Sequence, residues 1–363
     1  MQTYGGISRY FISLHKNLSN FEEVQSRIIA PLYVNTYLNN SFLSGVTGMP
    51  VPVIPKTARI RNNILPVLNS LLVPHILKSF GPDIVHETYY SSKSYAPSGS
   101  MRVITVYDMI HERFQKYFSD KDPTSTIKRH AVNRAHHVIC ISNNTKNDLV
   151  DLFSIPEEKI SVVYLAAELE NNNSYMLRDT RQFNTVDKPY LLYVGSREGY
   201  KNFSGFLEAI SINTFLKNNF ILLCFGGGKF TKNENNLIRE LGFSKDSVIQ
   251  TGQNDFQLAR IYENAVAFIF PSLYEGFGIP PLEAMSSGCP VICSNVSSIP
   301  EVVGNAGEYF DPYNPESIAS AIEAVVLYPA RRKELIEFGK LRCKEFSWKK
   351  CANETLNIYR SIL

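Results

Sequence analysis

The sequence predicts an α/β protein of two doubly wound domains built on parallel sheets. Short apolar runs alternate with amphipathic stretches from one end to the other. At 363 residues the chain is roughly twice an ordinary domain length. A polar, Asn-rich piece, residues 168–189, breaks the alternation near the midpoint before a fresh strand–loop–helix begins. The first domain is therefore expected over residues 1–167 and the second from residue 168 on.

Gly5 and Gly6 open the first helix-like run. Only Met1-Gln2-Thr3-Tyr4 precede them, fewer than a strand of about 5–6 residues and a turn would need. A doubly wound domain sets its central strand there, so the natural protein is expected to begin about ten residues earlier. Residues 56–80 place Lys56, Arg59 and Arg61 ahead of Ile64, Leu65, Leu68, Leu71 and Leu72. That pattern fits a helix packed on its own sheet or a basic, apolar helix lying on a membrane surface. Asp83-Ile84-Val85, Val103-Ile104-Thr105-Val106 and Val138-Ile139-Cys140-Ile141 are short and almost continuously apolar, as parallel strands buried on both faces are. After the midpoint Leu191-Leu192-Tyr193-Val194, residues 220–225, residues 266–270 and Val291-Ile292-Cys293 repeat the pattern. Helix-like stretches at 203–210 and 255–264 separate them. Such folds bind ligands beyond the carboxyl ends of their strands, here in the cleft between the domains.

Hydrophobic residues at 44% and charged residues at 20% exclude wholesale disorder. A net charge of +3 excludes a dedicated nucleic-acid binder. No apolar run approaches the ~20 residues of a spanning helix. No charged-then-apolar leader opens the chain, so a soluble, cytoplasmic protein is expected, and the sequon at Asn143-Asn144-Thr145 reads as incidental. The six cysteines form no C-x-x-C pair and match no zinc spacing, so neither disulfides nor a structural metal are expected. All seven histidines lie within the first 137 residues, and any catalytic histidine must come from there.

The most informative stretch is residues 271–290, PSLYEGFGIPPLEAMSSGCP. It follows a buried run, and Gly276 and Gly278 would let backbone amides approach a ligand closely. Pro281 suits a first helical turn, while Gly288 and Pro290 stop the helix before the next strand. Such a helix start is a natural seat for a phosphate or diphosphate. Glu275 before it and Glu283 in its early turns frame one small volume, and carboxylates there suit a polyhydroxylated ligand.

This stretch, with its E-x(7)-E pair Glu275 and Glu283, resembles glycosyltransferase family four, retaining enzymes of the GT-B fold in which two Rossmann-like domains face a central cleft. The likeness runs through nearly the whole chain: YGGISRYF at 4–11, HVICISNNTKNDL, YVGSREGYKNF, and PEVVGNAGEYFDP at 300–312. The second domain would then end at 347, and FSWKKCANETLNIYRSIL resembles the final helix, 348–363, that crosses back onto the first domain. The nearest likeness is to bacterial enzymes that build O-antigen, many of them mannosyltransferases.

The resemblance implies the following roles. Lys201 would grip the donor diphosphate, joined by Arg197, although the family's arginine usually follows the glycine directly, where Ser196 stands. Glu283 would bond the ribose. Glu275, with the amides of Phe277, Gly278 and Ile279 and with Leu282 alongside, would contact the donor. Gly5 and Gly6 would reach the diphosphate from the opposite domain, and Gly226 to Gly228 would line the base pocket or form a plain turn. Many relatives carry a histidine where Tyr107 stands, which leaves Asp108, His111 and, after them, His86 as groups that would contact the donor sugar or orient an acceptor hydroxyl.

The resemblance thus implies transfer of a sugar from a GDP- or UDP-linked donor, GDP-mannose first, without a metal or other cofactor. The acceptor would be a glycan or an undecaprenyl-diphosphate-linked oligosaccharide, met at the inner face of the membrane. Asp120-Lys121-Asp122 has the D-x-D spelling of metal-holding GT-A enzymes but sits in a charged stretch and reads as solvated loop. No P-loop and no G-x-G-x-x-G after the first strand is present. Two readings stay beside the transferase: a sugar-nucleotide epimerase of related architecture, and a non-catalytic subunit that binds sugar nucleotide or a partner enzyme.

Overall fold

The computed structural model describes residues 5–39, 43–54, 58–167, 188–197, 199–252 and 255–363. The linker expected at 168–189 lies outside the described residues up to 187, as do Met1-Gln2-Thr3-Tyr4 and Lys56.

The first half runs α1 (Gly6–Leu18), β1 (Ile28–Tyr33), β2 (Val46–Pro50), α2 (Ala58–Phe80), β3 (Ile84–Glu87), β4 (Met101–Val106), α3 (Ile110–Arg113), α4 (Thr124–Arg134), β5 (His137–Cys140), α5 (Asn143–Phe153) and β6 (Ile160–Val162). Strands β3-β4-β5-β6 form one parallel sheet and β1-β2 a separate parallel pair. Val103, Ile104 and Val106 and all of β5 are buried, as strands covered on both faces must be. The β1–β2 pair was not legible as strand because Pro31 and Gly48 interrupt it. Its register shifts between Ile29 and Leu32, and a Cβ at Gly48 (φ 154°) would lie 1.8 Å from the Ala30 carbonyl oxygen.

Helix α2 carries apolar residues on more than one face. Leu65 and Leu77 are buried, and the Asn69 amide bonds the Leu32 N–H and carbonyl of β1 at 2.9 Å each. Ile64, Val67, Leu68, Leu71 and Leu72 point outward and are exposed. The helix thus packs on its own sheet and still presents an apolar row. Among the described residues, no helix is long and apolar enough to cross a membrane.

The second half runs β7 (Tyr190–Val194), α6 (Phe203–Ile212), α7 (Thr214–Asn219), β8 (Ile221–Phe225), α8 (Lys232–Glu240), β9 (Val248–Thr251), α9 (Asp255–Asn264), β10 (Ala267–Phe270), α10 (Ile279–Ser286), β11 (Val291–Ser294), α11 (Ile299–Val303), β12 (Gly307–Phe310), α12 (Pro315–Val326), α13 (Pro329–Arg342) and α14 (Trp348–Ile362). Its six strands are parallel in the order β12-β11-β10-β7-β8-β9. Helix α14 starts at the Ser347 cap and packs on α1, with the Trp348 and Tyr10 rings 6.2 Å apart. The chain therefore forms an α/β fold whose last helix touches its first. All six cysteines are free thiols, five of them buried.

Candidate active site

The second sheet reverses its strand order between β7 and β10, and the crevice beyond their carboxyl ends is where an open α/β sheet takes ligand. The loop after β7 leads to Lys201; the loop after β10 is residues 271–278, buried throughout. Leu273 N–H donates to the Tyr200 carbonyl at 2.8 Å and ties the two loops together. A buried loop needs partners for its backbone groups. Ser297, in left-handed backbone at φ 52°, accepts the Glu275 N–H at 3.0 Å. Ser298 Oγ lies 2.9 Å from the carbonyls of both Glu275 and Phe277.

That bracing sets Glu275 against Lys201, whose Nζ donates to Glu275 Oε1 at 2.7 Å. Burial alone would lower the Lys201 pKa, but Glu275, Tyr200 and Asp108 outweigh it and hold the ammonium above its ordinary range. Asp108 comes from the other half of the chain, just past β4. Its Oδ1 accepts the Ile110 N–H at 3.1 Å, and its carbonyl accepts from the fully buried Lys128, which also donates to Glu112 at 2.8 Å. A Cβ on Gly276 would lie 1.7 Å from the Tyr107 carbonyl oxygen and 3.0 Å from Asp108 Cβ. The glycine at 276 is thus explained by the contact between the two halves, not by approach to a ligand.

Helix α10 starts at Gly278 in left-handed backbone, φ 119°, with no side chain capping it. Pro280 and Pro281 carry no N–H, so its orphan donors are those of Gly278 and Ile279. Leu282 is one position too deep to be an orphan, and its side chain is buried in the core. Across the gap stands α1, capped only by Gly5 backbone, where a Cβ on Gly6 would come 4.0 Å from Ile279 Cδ1. Two helix N-termini, each with partial positive charge, therefore open on one space. Arg9, one turn into α1, donates to Glu283 Oε1 at 2.9 Å, joining residues 274 apart. Nothing local in the sequence marks Arg9 for this contact.

Arg197, expected at the diphosphate, lies against the glycine loop after β8. Its Nε donates to Glu234 at 2.6 Å, and its terminal nitrogens donate to the carbonyls of Gly226 at 3.0 Å and Gly228 at 2.9 Å. A guanidinium with its donors committed in this way, and its side chain 3% exposed, braces the glycine loop. Gly226, Gly227 and Gly228 have φ of 87°, 66° and 71°, which explains the three glycines, and the Gly226 N–H is already bonded to the Thr251 carbonyl. His111 stacks on Phe118 at 4.0 Å and sits 3.6 Å from Asp122. Asp122 in turn caps α4 through Thr124. His86 is clasped between Thr105 and Tyr359, at 2.8 and 2.6 Å, and burial pulls its pKa down to about 3. It ties β3 and β4 to α14 as a neutral ring.

The two halves meet through a second set of contacts. Tyr274 donates to Asp148 at 2.5 Å, and Asp148 also accepts from Arg113 Nε at 2.8 Å. Glu301 on α11 accepts the Asn143 N–H at 2.7 Å, the Asn144 N–H at 3.2 Å and the Tyr164 hydroxyl at 2.8 Å. A carboxylate from one half thus satisfies the N-terminus of α5 in the other. Among the described residues, no three His, Cys, Asp or Glu side chains converge as a metal site.

Comparison with known proteins gives this geometry a context. The family model described as Glycosyltransferase Family 4 matches residues 4–171, and the one described as Glycosyl transferases group 1 matches residues 178–342. The O-antigen chain mannosyltransferase B of Escherichia coli is 28% identical over 289 residues, covering 75% of this chain and 74% of its own. The O-antigen chain mannosyltransferase RfbU of Salmonella typhimurium is 27% identical over 334 residues, covering 89% and 88%. Among solved structures, HepE of Anabaena in complex with UDP and glucose superposes with a TM-score of 0.75 at 16% identity, over 99% of this chain and 98% of its own. A glycosyltransferase from Rickettsia africae does so at 0.70 and 20%, over 99% and 96%. These neighbours share the GT-B fold, and with one model on each half the chain belongs to the glycosyltransferases, Family 4 in its first half and group 1 in its second.

Proposed function

We propose that the chain is a retaining mannosyltransferase that takes GDP-mannose and acts, without a metal, on a lipid-linked or growing glycan of a bacterial surface polysaccharide. The observation that carries this reading is the facing of the α1 and α10 N-termini, with Lys201 and Arg9 beside them. Two helix ends and two cations can neutralise a diphosphate. The likeness to O-antigen mannosyltransferases supports the sugar and the acceptor class.

In the proposed step the acceptor hydroxyl oxygen bonds to the anomeric carbon on the face from which the diphosphate leaves. The glycosidic C–O electron pair passes to the β-phosphate oxygen, and the acceptor proton follows to that phosphate. Charge grows on the β-phosphate as the bond breaks, and Lys201 with the Gly278 and Ile279 N–H groups stabilises it. Glu275 orients both Lys201 and the sugar hydroxyls, Asp108 bonds the sugar from the opposite side, and Glu283 accepts from the ribose with Arg9 holding its carboxylate. The exposed apolar row of α2 rests on the membrane that carries the acceptor.

The test is a thermal-shift and turnover screen against GDP-, UDP- and dTDP-sugars in a chelating buffer. Stabilisation by GDP-mannose with slow release of mannose is the expected result. Stabilisation by a UDP-sugar alone would replace the donor. Silence toward every nucleotide would overturn the reading in favour of a non-catalytic subunit.

A further inference from the structure

Helix α4 buries Lys128, Ala131 and Val132 on one face. That spacing is a core stripe, and such a stripe calls for an apolar residue at 128. Lys128 is nonetheless fully buried, with its Nζ 2.8 Å from Glu112 Oε2. A buried ion pair stabilises a fold only when its remaining donors and acceptors are satisfied. Here Glu112 Oε1 is buried with no hydrogen-bond partner among the described residues. Two apolar side chains would hold the same space at least as well, so stability does not explain Lys128.

Its contacts do. Lys128 Nζ donates to the Asp108 carbonyl at 2.9 Å, lies 3.9 Å from Asp108 Oδ1 and sits 5.3 Å from the centroid of the Tyr90 ring. The Tyr90 hydroxyl in turn accepts the Tyr107 N–H at 3.3 Å. One cation thus gathers residues 107–112, the segment that leaves the carboxyl end of β4 for the cleft. Asp108 is fixed at its carbonyl by Lys128 and at Oδ1 by the Ile110 N–H. Its side chain, 30% exposed, borders the Lys201–Glu275 pair: a Cβ on Gly276 would lie 3.0 Å from Asp108 Cβ, and the Asp108 charge acts on Lys201.

We propose that Lys128 is a positioning residue for the transfer step, holding the Asp108 carboxylate at the angle from which it meets the donor sugar. The proposal rests on the role given to Asp108 in the transferase reading above. An uncharged side chain at 128 would fill the same space but leave the Asp108 carbonyl without its buried donor. The peptide could then rotate and carry the carboxylate with it, and a displacement of about 1 Å is enough to misplace a reacting group.

The test replaces the pair by apolar side chains, Lys128→Met with Glu112→Leu, in the full chain. The substrate is the nucleotide sugar selected by the screen above, GDP-mannose first. The urea midpoint should stay close to that of the parent and GDP should bind as before, while kcat falls about ten-fold or more. In an Asp108→Asn background, which lowers kcat by itself, the same two changes should add nothing, because Lys128 acts through that carboxylate alone. Parental kcat in the first variant overturns the proposal, and so do losses that multiply independently of Asp108→Asn. If the pair of changes prevents folding, Lys128→Leu with Glu112→Met takes its place. A parent that turns over no nucleotide sugar overturns the transferase reading, and exchange of the Ile110 amide then decides the positioning. It should speed about ten-fold or more in the variant, and unchanged exchange overturns the proposal.

Discussion

Lys201 and Arg197 stand four positions apart, both are cations in the loop after β7, and both were expected to grip a diphosphate. Their partners separate them. Lys201 pairs with Glu275 in its own half and faces Asp108 across the cleft, so Lys201→Ala should lower kcat of the folded protein by about 10²–10³, far beyond the activity lost with the stability of the broken Glu275 pair. Arg197→Ala should show first in stability. It strips a buried partner from Glu234 and the bonds to the Gly226 and Gly228 carbonyls, costing about 3 kcal/mol, read as an earlier urea midpoint for the second half. An Arg197→Ala protein of parental stability would return the residue to the phosphate. His86 gives a prediction in pH. Its folded pKa lies near 3, below its unfolded value, so the stability it contributes is present above about pH 6.5 and lost as pH falls toward 3. At pH 5.5 that loss should approach 1.4 kcal/mol, and His86→Gln should remove that slope from the difference between urea midpoints at pH 7.5 and 5.5.

The elements show what was legible in the sequence. Strands β4, β5, β7, β8, β10 and β11 announce themselves because a parallel strand covered on both faces is apolar along nearly its whole length, and β3 does so through Ile84 and Val85 alone. Strands β1 and β2 do not, since Pro31 and Gly48 belong to a register shift visible only once the pair is formed. The loop bearing Glu275 and the start of α10 were readable from local glycines and prolines. Arg9 was not, because its meaning rests on a contact 274 residues away. Helix α2 is the intermediate case: its apolar content was plain, but which residues face the sheet was not. Leu68→Glu with Leu71→Glu alters only the outward row, so folding should be unchanged and co-flotation with anionic vesicles lost. Undiminished flotation of that variant would remove the membrane contact from the proposal.

At the scale of the whole molecule the two halves share an apolar core, with Tyr164 against Phe277 and Phe114 against Tyr274, and polar contacts beside it straddle the cleft. Arg9–Glu283 and Tyr274–Asp148 cross it from opposite sequence directions, and Glu301 holds the start of α5. Polar contacts of this kind can break and re-form as substrates enter and leave. Closure matters to a transferase because water competes with the acceptor hydroxyl for the activated sugar. Glu301→Gln keeps the shape of the side chain and removes the charge that faces the α5 N-terminus, a helix-end interaction of about 0.3–1 kcal/mol. Tyr274→Phe keeps the ring beside Phe114 and removes the hydroxyl bonded to Asp148. Neither change touches Lys201, Glu275 or Glu283. The double variant should therefore bind donor with nearly parental affinity, scatter X-rays as a more open particle, and raise the ratio of donor hydrolysis to transfer several-fold. A ratio that stays put while the particle opens would mean that water is excluded by the acceptor itself and not by closure of the two halves.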